Sequence, residues 1–185
     1  MAEGPSTSVS PSASARTSGK LWICFVATLL VMLGASSAHA ARPPHNGAPA
    51  PSFSLPLAAN GTGQISLSQL HGRAVYLNFF ASWCQPCKAE AASIAKLSRE
   101  FSKHNVVVVG IDELEASRKA AEFASQYKLP YKIAIDDSGD VGGSYGLIGL
   151  PLHVFISADG KVAMHREGEM SESQIRAELL RLSRH

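Results

Sequence analysis

The chain predicts an α/β domain with a mixed central β-sheet flanked by helices, and three observations carry this. Two uninterrupted apolar runs, 75–80 and 106–111, have the length and the β-branched or aromatic content of strands buried on both faces. Each is followed by a helix-patterned segment, 86–103 and 116–127, which acts as a crossover to the next strand. After a short strand at 132–135 the alternation ends in a hairpin, 154–156 with 162–166 across Asp159-Gly160, and a capped terminal helix at 171–182.

The N-terminus precedes this domain and reads as a targeting segment. Residues 1–20 are polar and Ser-rich, with Arg16 and Lys20 the only basic groups before an apolar stretch at 21–33. Ala38-His39-Ala40 then supplies the small-x-small pattern of a signal-peptidase site, so 1–40 is expected to be a signal peptide cut after Ala40. An uncleaved membrane anchor is the competing reading. The apolar core is short of the roughly twenty residues needed to span a bilayer, but it can be extended to Ala38. Cys24 has no small-residue site before it and does not resemble a lipoprotein cysteine.

Residues 41–51, rich in Pro, Ala and Gly, are expected to form a flexible leader, and 52–185 a single domain. The domain should open with a short hairpin, 53–55 against 64–67, around a turn at Asn60-Gly61. Setting aside Glu3, Arg16 and Lys20, fifteen Lys and Arg face fourteen Asp and Glu, dispersed along the chain. That balance carries no nucleic-acid footprint.

Trp83-Cys84-Gln85-Pro86-Cys87 stands where the first apolar strand gives way to a helix. The unpaired N–H groups of a helix N-terminus stabilise a thiolate, so Cys84 should be nucleophilic near neutral pH. Cys87 lies one turn further on, able to close a small disulfide ring, and Pro86 suits a first turn where its missing N–H costs nothing. Cys84 would attack a partner disulfide and Cys87 would resolve the mixed disulfide. Trp83 reads either as a contact surface beside the motif or as ordinary core. Since so short a loop constrains little of the unfolded chain, a lone CxxC in an exported protein is better explained by redox work than by stapling.

Rival chemistries lack their residues. Covalent haem attachment needs His after the second cysteine, where Lys88 stands, and structural zinc needs four ligands. A thiol peroxidase usually has Pro and Thr or Ser seven and three residues before its cysteine; here these are Leu77 and Ala81. The seven histidines show no paired metal spacing, although His153 with Cys84 and Cys87 leaves a copper-binding chaperone-like module as an alternative. The reading calls for no metal or other cofactor.

Glu90 shares the apolar face of the motif helix. Relative to Glu90, Ile94 falls at about +40°, Leu97 at about −20° and Phe101 at about +20°, and Cys87 lies about 60° away, one turn earlier. Desolvation on such a face raises a carboxyl's proton affinity and makes it a candidate proton donor and acceptor for thiol exchange. The alternative is a Glu90 that reaches solvent or pairs with a lysine.

The CxxC junction, with Leu150-Pro151 just before a later strand, resembles the thioredoxin superfamily. The stretches VYLNFFASWCQPCKAE and DDSGDVGGSYGLIGLPLHVFISADGKV, with the N-terminal hairpin, resemble its TlpA/ResA group of exported thiol:disulfide oxidoreductases. The resemblance runs from about Ala48 to the C-terminus. It implies a thioredoxin-like fold and catalytic Cys84, Cys87 and Glu90, with the first cysteine the exposed one. It also implies a motif completed by Gln85 and Pro86, and a cis-proline at Pro151, with the preceding backbone at Leu150 pairing with bound peptide next to the disulfide. Thioredoxins proper have a buried Asp six residues before the first cysteine, where this chain has Asn78, so acid/base work falls to Glu90. Ala92 replaces a Pro frequent in the group, and Leu150 and Leu152 stand where relatives often have Thr. The function implied is periplasmic, or otherwise exported, reduction of disulfide-containing protein substrates, in general or in cytochrome c maturation, with a membrane electron donor recharging the dithiol. A disulfide oxidase or isomerase is the alternative, although the helical insertion of such oxidases has no room between Val106 and Pro151.

Overall fold

The computed structural model describes residues 43–184. The expected signal peptide or anchor, Cys24 and the first two residues of the leader lie outside the described residues. Among the described residues no helix is long and apolar enough to cross a membrane.

The elements run β1 (Ser54–Ala59), β2 (Gln64–Ser66), β3 (Ala74–Phe80), α1 (Gln85–Phe101), β4 (Val106–Glu113), α2 (Ser117–Gln126), β5 (Lys132–Asp136), α3 (Asp140–Ser144), β6 (Leu152–Ile156), β7 (Val162–Glu167) and α4 (Glu172–Leu182). They build one mixed sheet in the order β2-β1-β5-β4-β3-β6-β7. β3, β4 and β5 are parallel, joined by crossovers through α1 and α2, and β6 returns antiparallel to β3. β3 is buried at every residue, as its unbroken apolar run requires of a central strand.

Strand alternation divides the core in two. Tyr76 and Phe80 face α1, α2 and α4, packing with Ile94, Leu97, Phe123, Phe155 and Leu179. Leu77 and Phe79 face the other way, toward Phe53, Ile65, Ile111, Tyr145 and Val154. The mixed sheet flanked by helices matches the fold class expected from the sequence.

Several details differ from the sequence reading. β1 is longer than expected because it pairs with β5 as well as β2, and the left-handed Asn60 ties its end to the β5 side by donating to the carbonyls of Leu129 and Tyr131, at 2.9 and 2.7 Å. Leu67 belongs not to a strand but to a 3-10 turn, Leu67–Leu70, whose start is closed by the Ser66 N–H donating to Gln69 Oε1 at 3.0 Å. β4 continues two residues past Ile111. α3 falls in a segment read as irregular, because Gly142-Gly143 masks its helical character. The leader is also tied down before Ser52: Gly47 N–H donates to the Val162 carbonyl at 2.7 Å and Ala50 N–H to that of Gly160 at 3.0 Å.

Candidate active site

The motif loop leaves the C-terminal end of β3. Cys84 is the N-cap of α1, and its Sγ accepts the Cys87 N–H at 3.2 Å, a donor that the helix cannot satisfy itself. Pro86 occupies the first turn. Cys84 and Cys87 are joined as a disulfide. The expectation of an exposed first cysteine is not met in this oxidised form: Cys84 is 3 % exposed and Cys87 4 %. What separates the two sulfurs is the N-cap position of Cys84.

The surroundings divide into an open rim and a closed floor. Trp83 is 65 % exposed, so it is not core, and Gln85 and Pro86 are also exposed. Leu152, the first residue of β6, pairs with Phe79, which sets Pro151 beside the end of β3 where the motif begins. The Leu150–Pro151 peptide is cis, Pro151 is buried and Leu150 half-buried. The loop before it presents Ile148, 88 % exposed, while the Ile148 N–H is anchored by Glu167 Oε1 at 2.7 Å. Sequence reasoning missed Ile148, because one apolar residue in a Gly-rich loop carries no periodicity.

On the floor, Glu90 is 3 % exposed. One carboxylate oxygen accepts the Met170 N–H, and Oε2 lies 3.5 Å from His153 Nε2. Glu90 therefore neither reaches solvent nor pairs with lysine. Asn78 is buried in β3 in register with His153, and its Nδ2 has no partner in the protein.

A second group of acids adjoins the loop. Glu115 accepts the Ser82 N–H at 2.5 Å and the Ser82 hydroxyl at 2.7 Å, fixing the chain two residues before Cys84. Beside it, Asp112 is driven up to about 8, first by burial and then by the charge of Glu115. Glu113 is likewise pushed up to about 8, by burial and then by Asp136. These were missed because Asp-Glu after an apolar run reads as the solvated end of a strand.

Among the described residues no three His, Cys, Asp or Glu side chains gather as a metal site. The ring nitrogens of His153 face Tyr76 and Glu90, which leaves neither for a copper ion held by the cysteines. The arrangement is that of a dithiol/disulfide couple at a helix N-terminus, open to a partner along an apolar rim and backed by a buried carboxyl.

Known proteins share this layout. The model described as the AhpC/TSA family matches residues 46–165. The chain is 32 % identical over 120 residues to the thiol-disulfide oxidoreductase ResA of Bacillus thuringiensis subsp. konkukian, covering 65 % of this chain and 69 % of the relative. Against ResA of Bacillus subtilis it is 33 % identical over 129 residues, covering 70 % and 71 %. A solved Chlorobium tepidum structure, described as a candidate thiol:disulfide interchange protein DsbE, superimposes with a TM-score of 0.67 at 30 % identity, covering 74 % of this chain and 99 % of that one.

Proposed function

This chain belongs to the AhpC/TSA family and, within it, to the ResA-like thiol:disulfide oxidoreductases of thioredoxin-like fold; from that premise we propose that it reduces partner disulfides in an export compartment. The observation that carries the assignment of roles is the capping geometry: Cys84 Sγ accepts a helix N–H, the contact that would stabilise its thiolate. Peroxidase chemistry lacks its residues, since Leu77 and Ala81 are both buried apolar side chains.

The Cys84 thiolate attacks one sulfur of the partner disulfide; the other partner sulfur leaves as thiolate and takes a proton. The Cys87 thiol then gives its proton to Glu90, attacks Cys84 Sγ and closes the enzyme disulfide, releasing the second partner thiolate. Two electrons pass to the partner, and a membrane dithiol donor reverses the sequence to recharge the enzyme. Trp83, Ile148 and the backbone at Leu150 form the rim against which the partner lies. Reduction is the direction we propose, and the short span from β4 to β6, which holds only α2, β5 and the short α3 and no helical insertion, supports it. The pathway we place it in is cytochrome c maturation, where the substrates would be disulfides of Cys-x-x-Cys-His segments.

Trapping in the export compartment tests this. Cys87→Ser should accumulate mixed disulfides whose partners include Cys-x-x-Cys-His chains, whereas Cys84→Ser should trap nothing and lose all activity. A better trap in Cys84→Ser would reverse the roles, and partners without such segments would remove the pathway. The intact mass of the recovered protein distinguishes a mature chain beginning at Ala41 from one that keeps 21–33 as an anchor.

A further inference from the structure

One helical turn beyond Cys87, Glu90 joins two buried side chains from other elements in a solvent-free chain. Tyr76 Oη of β3 lies 2.8 Å from His153 Nδ1 of β6, and His153 Nε2 lies 3.5 Å from Glu90 Oε2 of α1. The Tyr76 ring stacks on Phe155 with centroids 4.5 Å apart, which fixes the phenol against the imidazole. Among protein atoms, His153 Nε2 and Glu90 Oε2 have no hydrogen-bond partner other than what they offer each other. Two buried polar atoms left in this way are costly unless a proton is held between them.

Tyr131 is the other titratable group that feels the charge of Glu90, and Cys87 lies one turn before Glu90 among the buried residues of α1. Burial, then the charge of Glu90, raises the Tyr76 hydroxyl, and the same two causes raise that of Tyr131, so both phenols keep their protons. We propose that His153 is a positioning residue for Glu90, and that the two side chains together hold the proton that leaves Cys87 during disulfide exchange. This rests on the proposed role of Glu90 toward the thiols.

Before transfer, Tyr76 O–H donates to Nδ1, and Nε2–H faces the Glu90 carboxylate. On transfer the Glu90 carboxylate takes the Cys87 proton while keeping its contact with Nε2–H, and the Tyr76 O–H donation to Nδ1 is unchanged. The pair goes from one negative charge to none as Cys87 becomes the thiolate that attacks Cys84. The proton returns when the enzyme disulfide is reduced.

The test is the pH dependence of thiol alkylation in the reduced full chain. Glu90→Gln removes a negative charge beside the thiols and should lower the alkylation midpoint by about one pH unit. His153→Gln leaves that charge unshielded and should raise the midpoint by a similar amount, an opposite sign that a loss of packing alone would not produce. The double variant should match Glu90→Gln, because His153 acts only through Glu90. If Glu90→Gln lowers the midpoint while His153→Gln leaves it unmoved or lowers it, the inference about His153 fails and the reading of Glu90 stands. If Glu90→Gln moves nothing, the reading of Glu90 itself fails. Tyr76→Phe removes one hydroxyl from a well-packed ring and should raise the midpoint by less than His153→Gln. Should His153→Gln fail to fold, an unmoved Tyr76→Phe overturns the inference.

Discussion

Glu90 and Asp112 are both buried carboxyls close to the same motif, and they differ in what faces them. Glu90 is met by donors, the Met170 N–H and the imidazole of His153. Asp112 is met by another acid, Glu115, and neither of its own oxygens finds a donor in the protein. Its neighbour Glu113 repeats the pattern against Asp136. A carboxyl among donors can bear charge in the interior, as the role proposed for Glu90 requires. A carboxyl against a carboxyl is kept neutral, because burial and the adjacent charge act in the same direction.

The largest consequence lies in stability. Asp112 and Glu113 hold protons in the folded chain up to about pH 8, whereas in the unfolded chain they release them near the ordinary carboxylate value of about 4. The folded state thus binds more protons across that window. The stability from these groups is fully present below the unfolded value and is lost as pH rises through about 8. The slope is up to roughly 1.4 kcal/mol per pH unit for each carboxyl. Denaturant midpoints should fall from pH 5 to pH 9, and Asp112→Asn with Glu113→Gln should flatten that fall. A wild-type midpoint that rises over the same range would show that both acids are already ionised.

A smaller effect probes how closely the second cluster is packed. A Cβ on Gly142 would come within 2.6 Å of the Glu113 carboxylate, while Asp136 Oδ2 accepts the Gly142 N–H at 2.7 Å. Gly142→Ala should therefore cost about 1–3 kcal/mol by overpacking, despite alanine's better helix propensity. Calorimetry or urea unfolding checks it, and an unchanged or raised stability would mean that the Glu113 side chain moves aside freely.

The same contrast explains what could be read in the sequence. β3, β4 and α1 were clear because their apolar patterns have the period of the element they form, and the CxxC at their junction marked the site. Glu90 was found because it interrupts a helical stripe. Asp112 and Glu113 were not, because a strand that carries buried acids at its end looks the same in sequence as one that stops before them. In the sequence His153 stands only as a third copper ligand beside the two cysteines, because its partners Tyr76 and Glu90 are brought to it only by the pairing of β3 with β6 and the packing of α1 against the sheet. The burial of Cys84 is equally hidden in the sequence, since exposure depends on which side chains the fold packs around the sulfurs.

The central claim is that this dithiol works as a reductant, and its reduction potential against glutathione tests that most directly. CxxC proteins of this superfamily range from about −270 mV for thioredoxin to about −120 mV for a strong oxidant such as DsbA. The account predicts a value nearer the thioredoxin end, below the glutathione poise, so that the dithiol gives up its electrons readily. A potential near the oxidising end would contradict it and make the protein a donor of disulfides.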